Sequence, residues 1–153
     1  ILSIGFVIIF FIDLKHFIIP NEITYPLILI GFFKSFDPNL NIFLFPNFIN
    51  SLIGGLFGYI IIWLIIFIYK KLRNKEGMGL GDAKLLSVIG FWFGWISIPF
   101  VIFFSSTVAL ISVIPDLIKN KKKLSSQIPF GPYLIIGCLI FLFLNEQIKL
   151  FLN

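Results

Sequence analysis

The sequence predicts an all-α protein, a polytopic bundle of about six transmembrane helices that forms a single domain over residues 1–153. Hydrophobic residues make up 59% of the chain, charged residues only 12%, and the mean hydropathy is +1.06. A soluble domain has about 45–50% apolar and about 25% charged residues. Polar segments also divide the apolar sequence into runs, as expected when lipid is the solvent.

The apolar runs predict the helices in chain order. They are residues 1–12, 23–33, 49–69, 85–115 and 128–144. The run 49–69 is the clearest span, since it has no charged residue and about the 20 residues that a crossing requires. The run 85–115 is also uncharged but is long for one helix, and Gly90, Gly94 and Pro99 are positioned to divide it into two. The short runs are expected to cross by tilting or by local thinning of the bilayer.

The basic residues predict the orientation. With six crossings, the segments 13–22, 70–84 and 116–127 share one side of the membrane. That side holds ten of the twelve Lys and Arg residues: Lys15, Lys70, Lys71, Arg73, Lys75, Lys84, Lys119, Lys121, Lys122 and Lys123. Because cytoplasmic loops carry the excess of Lys and Arg, we expect a multi-pass inner (cytoplasmic) membrane protein with this side in the cytoplasm. Charges grouped between apolar runs indicate a lipid bilayer as partner and no nucleic acid.

Metal and cofactor chemistry is not indicated. Cys138 is the single cysteine and His16 the single histidine, which is too few for a Cys/His zinc site or a disulfide framework. We therefore expect no metal and no cofactor.

Asp13 and Asp82 form the candidate catalytic pair. Asp13 is expected to end the first helix and Asp82 to open the fourth, both on the cytoplasmic side and next to apolar sequence. Either one alone is equally explained as a helix cap, a lysine partner or a solvated interfacial residue. Two carboxyl groups at short range share one proton, because both cannot readily ionise. Such a pair activates water with one member and polarises a peptide carbonyl with the other.

Glycines precede the second aspartate. Gly77, Gly79 and Gly81 permit positive φ and close backbone approach, so an extended substrate strand could pass beside Asp82. The GxGD pattern alone is also explained by a plain helix-entry turn.

Three segments resemble the type IV prepilin peptidases. Residues 13–24, DLKHFIIPNEIT, are similar to the first catalytic segment of that family. Residues 76–86, EGMGLGDAKLL, followed by Gly90 and Gly94-Trp95, resemble the second, and residues 128–133, IPFGPY, a third signature. The segments occur in the family's order and cover nearly the whole chain.

The resemblance implies a GxGD-type aspartyl peptidase that removes the short basic leader of prepilins or pseudopilins at the cytoplasmic membrane face. Carried over by position, the catalytic pair falls on Asp13 and Asp82. Many bacterial members carry an upstream four-cysteine domain linked to N-methylation of the new terminus. This chain has Cys138 alone, so we expect cleavage without methyl transfer.

Other candidate site residues have two interpretations each. Lys84 tunes the pair or meets substrate, or it extends to lipid phosphates. Glu22, with Asn21, caps the second helix or contacts substrate. Gly131 and Pro132 are expected to shape the entry to the last helix near the site. Either aspartate could hold the proton, and the sequence is compatible with more than one oligomeric state.

Three alternative functions are also compatible with parts of the sequence. A preflagellin-type leader peptidase would use the same pair on a different leader. A small proton-coupled transporter would use intramembrane acids as a relay, although these acids lie at one face and no inverted repeat is visible. An inert assembly scaffold would tolerate Asn at both aspartates.

Overall fold

The computed structural model describes residues 1–37, 47–73, 79–118 and 129–152. Within these ranges the regular elements are six α-helices and no strands. In chain order they are α1 Leu2–His16, α2 Asn21–Lys34, α3 Phe48–Arg73, α4 Leu80–Phe93, α5 Ser97–Ile118 and α6 Gly131–Leu152. The prediction of an all-α fold is confirmed.

Contacts between α2 and α4 show that these two helices run in the same direction. Lys84 Nζ donates a hydrogen bond to Asn21 Oδ1, which joins the N-terminal ends of α4 and α2. Further along both helices, Trp92 Nε1 donates to the Leu27 carbonyl at 2.8 Å. Both helices therefore begin at the same end of the bundle.

The other helices alternate in direction around this parallel pair. The Ser51 hydroxyl near the start of α3 donates to the carbonyl of Phe91 near the end of α4, so α3 and α4 are antiparallel. The Ser112 hydroxyl, late in α5, bonds Tyr133 Oη, early in α6, at 2.8 Å. Asp13, late in α1, contacts the first residue of α6, Gly131. One end of the bundle, here called the aspartate end, thus gathers the C-terminal ends of α1, α3 and α5 and the N-terminal ends of α2, α4 and α6.

Helix α4 occupies the centre of the bundle and packs against α2, α3, α5 and α6. Nearly every residue from Asp82 to Phe93 is buried. Its contact with α3 is close because small residues face each other: a Cβ added at Gly54 would lie 2.6 Å from the Gly90 carbonyl oxygen. The Ser87 hydroxyl crosses the same interface to the Gly55 carbonyl at 2.9 Å. Small residues that let backbones approach are typical of helix contacts in membranes.

The uncharged run 85–115 is divided at Gly94. Gly94 has φ 83° and donates its N–H to the Gly90 carbonyl, which ends α4 at Phe93. Gly90 itself lies inside α4, and Pro99 lies in the first turn of α5, where a missing N–H leaves no helical hydrogen bond unmade. The predicted division is confirmed, and of the three predicted positions only Gly94 produces it.

Within the part of the chain that the structure describes, two helices have the length and composition to cross a bilayer. These segments are Phe48–Leu72 of α3 and Ser97–Ile114 of α5. Helices α1, α2 and α4 have 15, 14 and 14 residues. At about 1.5 Å per residue each is roughly 21–23 Å long, less than the hydrocarbon thickness of about 30 Å. The apolar helices indicate that the chain is a membrane protein. Six crossings stay a prediction.

Candidate active site

Asp13 lies in the last turn of α1 and is only 4% exposed. The prediction that Asp13 ends the helix is wrong, because α1 continues to His16. Phe17 then adopts a left-handed conformation with φ 57° and donates its N–H to the Asp13 carbonyl at 2.9 Å, which closes the helix. The additional turn holds the Asp13 side chain on a rigid helix, where it points into the bundle.

Asp82 lies in the first turn of α4 and is 7% exposed. This agrees with the prediction that Asp82 opens the fourth helix. Its carboxyl group is close enough to Asp13 to interact with it electrostatically. Two acidic residues that are 69 positions apart are therefore brought together at the aspartate end, with both side chains largely removed from solvent.

The start of α6 binds Asp13. The Gly131 N–H donates a hydrogen bond to Asp13 Oδ2 at 3.0 Å, and Gly131 is the first residue of α6. A helix N-terminus favours a negative charge, because its first N–H groups have no helical acceptor. A Cβ at Gly131 would lie 2.5 Å from Asp13 Oδ2, so glycine is required for this approach. Buried Pro132 follows in the first turn, a position that tolerates proline.

Ile19 packs beside the residues that position the pair, and sequence reasoning missed it. Its side chain is 8% exposed. A Cβ at Gly81 would lie 2.9 Å from Ile19 Cβ, and one at Gly131 would lie 3.0 Å from Ile19 Cδ1. Ile19 therefore fills the space between the residue before Asp82 and the residue that binds Asp13. The sequence signal for Ile19 was its position in the IIP sequence of the segment 13–24, between two predicted helices.

Two of the glycines before Asp82 lie at the start of α4. Gly79 is the N-cap of α4 with φ −82°, and a Cβ added there would meet only the Gly81 nitrogen, at 3.8 Å. Gly81 is inside α4 and provides room for Ile19. Neither adopts the positive φ that glycine permits, since among the described glycines only Gly94 has it. Gly77 lies outside the described residues.

The N-terminal end of α2 also differs from the prediction. Pro20 is the N-cap and no side chain caps the helix, so the assignment of Asn21 and Glu22 as caps is wrong. Asn21 is already helical, and its side chain reaches α4 to accept the hydrogen bond from Lys84. Glu22 is exposed in the first turn.

Two buried carboxyl groups that interact electrostatically can carry out acid–base chemistry. Protonation of one member is favoured, since burial and mutual repulsion both disfavour two negative charges. One member can then accept a proton while the other donates one, which is the requirement for activating water against a peptide carbonyl. Within the described ranges, no group of three or more His, Cys, Asp or Glu residues is arranged to hold a metal ion.

Comparison with known proteins assigns the family. The model of the type IV leader peptidase family matches residues 1–114, a segment that includes both Asp13 and Asp82. The chain belongs to the type IV leader peptidase family. The resemblance in its motifs is thereby confirmed.

Relatives in this leader peptidase family come from several bacteria. The prepilin leader peptidase/N-methyltransferase of Pseudomonas aeruginosa is 37% identical over 138 residues, which is 90% of this chain and 46% of that protein. The protein of the same name from Aeromonas hydrophila is 36% identical over equal shares. That from Dichelobacter nodosus is 32% identical over 93% of this chain and 50% of its own length. The chain spans about half the length of these relatives, and no solved structure matches it significantly.

Proposed function

We propose that this chain is a membrane aspartyl endopeptidase that cleaves the leader peptide from type IV prepilins or pseudopilins. The observation that carries the proposal is the meeting of Asp13 and Asp82. Two buried aspartates from separate helices converge at one end of the bundle, in a member of a leader peptidase family. Relatives that share this family are named prepilin leader peptidases, which supports prepilins as the substrate class.

The contacts of the two aspartates support different roles for them. Asp13 accepts the Gly131 N–H at the start of α6, an arrangement that stabilises a carboxylate. Asp13 is therefore assigned as the ionised general base and Asp82 as the protonated acid. Asp13 takes a proton from water while the water oxygen attacks the scissile carbonyl carbon. Asp82 protonates the carbonyl oxygen to give a tetrahedral intermediate. As the C–N bond breaks, Asp13 passes the proton it took from water to the leaving amine, and a hydroxyl proton of the intermediate returns to Asp82 as the new carboxyl group forms.

The distribution of basic residues supports a cytoplasmic site. Lys15, Lys70, Lys71 and Lys84 lie toward the aspartate end, whereas Lys34 lies at the opposite end. By the positive-inside rule the aspartate end faces the cytoplasm. We place all six helices in the inner membrane, with the short ones accommodated by tilt or local thinning. A prepilin whose apolar helix lies in lipid beside the bundle then presents its leader junction at the depth of the pair.

The proposed function is tested by leader release. The purified full chain in proteoliposomes is incubated with a prepilin, and the products are read by mass spectrometry. We expect one cut that separates the leader from the mature pilin. A panel with prepilin, pseudopilin and preflagellin leaders identifies the preferred class, and faster cleavage of the preflagellin leader would favour the preflagellin-type alternative. An intact panel with a correctly folded enzyme would overturn the proposal.

Replacing Gly131 with alanine is expected to lower leader cleavage strongly while the bundle stays folded. The new methyl group would lie 2.5 Å from Asp13 Oδ2 and 3.0 Å from Ile19 Cδ1. Either the Asp13 carboxyl group or the start of α6 must therefore shift, which weakens the N–H contact that orients the base. A misplacement of a catalytic group by about 1 Å can cost about 100-fold in rate. The measurement is kcat for prepilin cleavage.

Gly79→Ala is the matched glycine variant for this measurement of kcat. Gly79 has a φ that alanine adopts, and a Cβ there meets only the Gly81 nitrogen at 3.8 Å. Its effect on kcat is expected to be much smaller than that of Gly131→Ala. Equal losses in the two variants would contradict the role given to the Gly131 contact.

A further inference from the structure

We propose that Lys84 is a positioning residue for Asp82. Its side chain, together with Asn21 and Tyr25, forms a contact between α4 and α2, here called the Lys84 clamp. The clamp holds the aspartate-bearing start of α4 against the start of α2. The inference rests on the proposed function for its catalytic consequence, although the contact itself is tested without substrate.

The Lys84 clamp consists of two cross-helix contacts. Lys84 Nζ donates a hydrogen bond to Asn21 Oδ1 at 2.5 Å, between residues 63 positions apart. The same ammonium group lies 5.2 Å from the centre of the Tyr25 ring, within the range of about 6 Å for a cation–π contact. Asn21 and Tyr25 are one helical turn apart on α2, so both present partners to one cation.

Lys84 influences Asp82 by holding the start of α4 in place, and not by an electrostatic effect of its own charge. Residues two apart on a helix lie on different faces, and the Lys84 side chain is directed to α2 by its contacts with Asn21 and Tyr25. The electrostatic partner of Asp82 is Asp13. Removing the ammonium group would therefore affect Asp82 by releasing the start of α4.

The clamp joins the two aspartates by a short path. Asp13 is near the end of α1, and only residues 17–20 separate that helix from Asn21 at the start of α2. Asn21 binds Lys84, which is two residues from Asp82. The intervening segment contains Ile19, whose side chain lies between Gly81 and Gly131. The clamp thus fixes the α1–α2 linker and the start of α4 together, and both carry groups that set the geometry of the pair.

Helices α2 and α4 have a second attachment that does not depend on Lys84. Trp92 Nε1 donates to the Leu27 carbonyl at 2.8 Å, toward the opposite end of the bundle. A Cβ at Gly31 would lie 2.7 Å from Trp92 Cδ1, so the helices are also in close contact there. Loss of the clamp should loosen only the aspartate end and leave the fold in place.

The test compares Lys84→Met with Lys84→Arg in prepilin cleavage. Methionine keeps an unbranched stem and removes the donor and charge, whereas arginine retains both. We expect Lys84→Met to lower kcat by tenfold or more with KM little changed, since a misplacement of about 1 Å can cost about 100-fold. Lys84→Arg should restore most of kcat. Lys15→Met is the matched control, because exposed Lys15 lies two residues after Asp13 as Lys84 does after Asp82, and it should cleave like the parent.

The partner side of the clamp gives a second test. Asn21→Ala removes the same hydrogen bond from an exposed residue and remains informative if Lys84→Met fails to fold. Asn21→Asp retains an acceptor and should keep kcat. Because Lys84→Met already removes the hydrogen bond that Asn21→Ala removes, the double variant Asn21→Ala/Lys84→Met should be little slower than Lys84→Met alone.

Several results would overturn the clamp. An unchanged kcat in Lys84→Met, or a raised KM at unchanged kcat, would remove the positioning role, the latter in favour of substrate contact. If the effects of the two single variants on kcat were additive, Lys84 and Asn21 would act independently and not through one contact. Unfolding midpoints in detergent are measured without substrate. If the two single variants lower the midpoint additively, the clamp is overturned even in a chain that releases no leader. Coupled midpoints in such a chain would keep the clamp and reject only the proposed function.

Discussion

Asp82→Asn is expected to lower leader cleavage by about 10³–10⁴-fold, the upper range for loss of a general acid–base group. Asparagine keeps the shape of the side chain but has no acidic proton to transfer to the scissile carbonyl. Asp82 is buried and its carboxyl group interacts with Asp13, so no solvent-exposed acid can readily replace it. Asp13→Asn should be impaired to a similar extent, because the pair acts as a unit. The measurement is the single-turnover rate with prepilin in proteoliposomes.

Asp37→Asn is the matched control for the paired aspartates. Asp37 is exposed and follows α2 at the end of the bundle opposite to the pair. Its substitution should leave the cleavage rate close to that of the parent. Cleavage by Asp82→Asn at the parental rate, with the variant folded, would rule out the acid–base role. A large loss in Asp37→Asn as well would show that the assay reports a general effect of removing carboxyl groups.

Gly90→Ala is expected to produce the largest loss of stability among single-methyl additions. The added Cβ would overlap the carbonyl group of Gly54 and approach the Gly55 nitrogen at 2.8 Å, which are backbone atoms of α3. Backbone cannot move aside as a side chain can, so the two helices must separate. Overpacking of this kind costs about 3 kcal/mol or more. The separation would also weaken the hydrogen bonds that Ser51 and Ser87 make across the interface. The unfolding midpoint in detergent and the yield of folded protein measure the effect.

Gly79→Ala is the comparison variant for this measurement of stability, since its Cβ would make only an ordinary contact, 3.8 Å from the Gly81 nitrogen. Its unfolding midpoint should stay near the parental value. A midpoint for Gly90→Ala that equals that of Gly79→Ala would contradict the close approach of α3 and α4 at Gly54.

The features that could be predicted from sequence have a local physical cause. The membrane class follows from the apolar composition, and the helices follow from uncharged runs that polar segments interrupt. Gly94 could be identified as a break because glycine readily adopts a positive φ. The candidate pair could be predicted by counting helices. Odd-numbered helices end, and even-numbered helices begin, on the same side of the membrane. The end of α1 was missed, because residues 14–16 continue the helix and Phe17, which is not a glycine, closes it.

Other features depend on partners that are far apart in the chain. Gly131 and Asp13 are 118 positions apart, so no local pattern identifies Gly131 as the donor to the buried carboxyl group. Ile19 appears as one more apolar residue until Gly81 and Gly131 enclose it. Asn21 resembled a helix cap after Pro20, whereas its side chain accepts from Lys84.

The sequence by itself determined the membrane class, the order of the helices and the two aspartates at one end of the bundle. Each of these depends on hydrophobicity and charge along a short stretch of chain. Only the tertiary structure decided which groups surround the pair: the start of α6 at Asp13, Ile19 between the glycines, and Lys84 on Asn21. The physical reason is that hydrogen bonds and close packing depend on distances of a few ångströms between helices, and those distances are set by the assembled bundle.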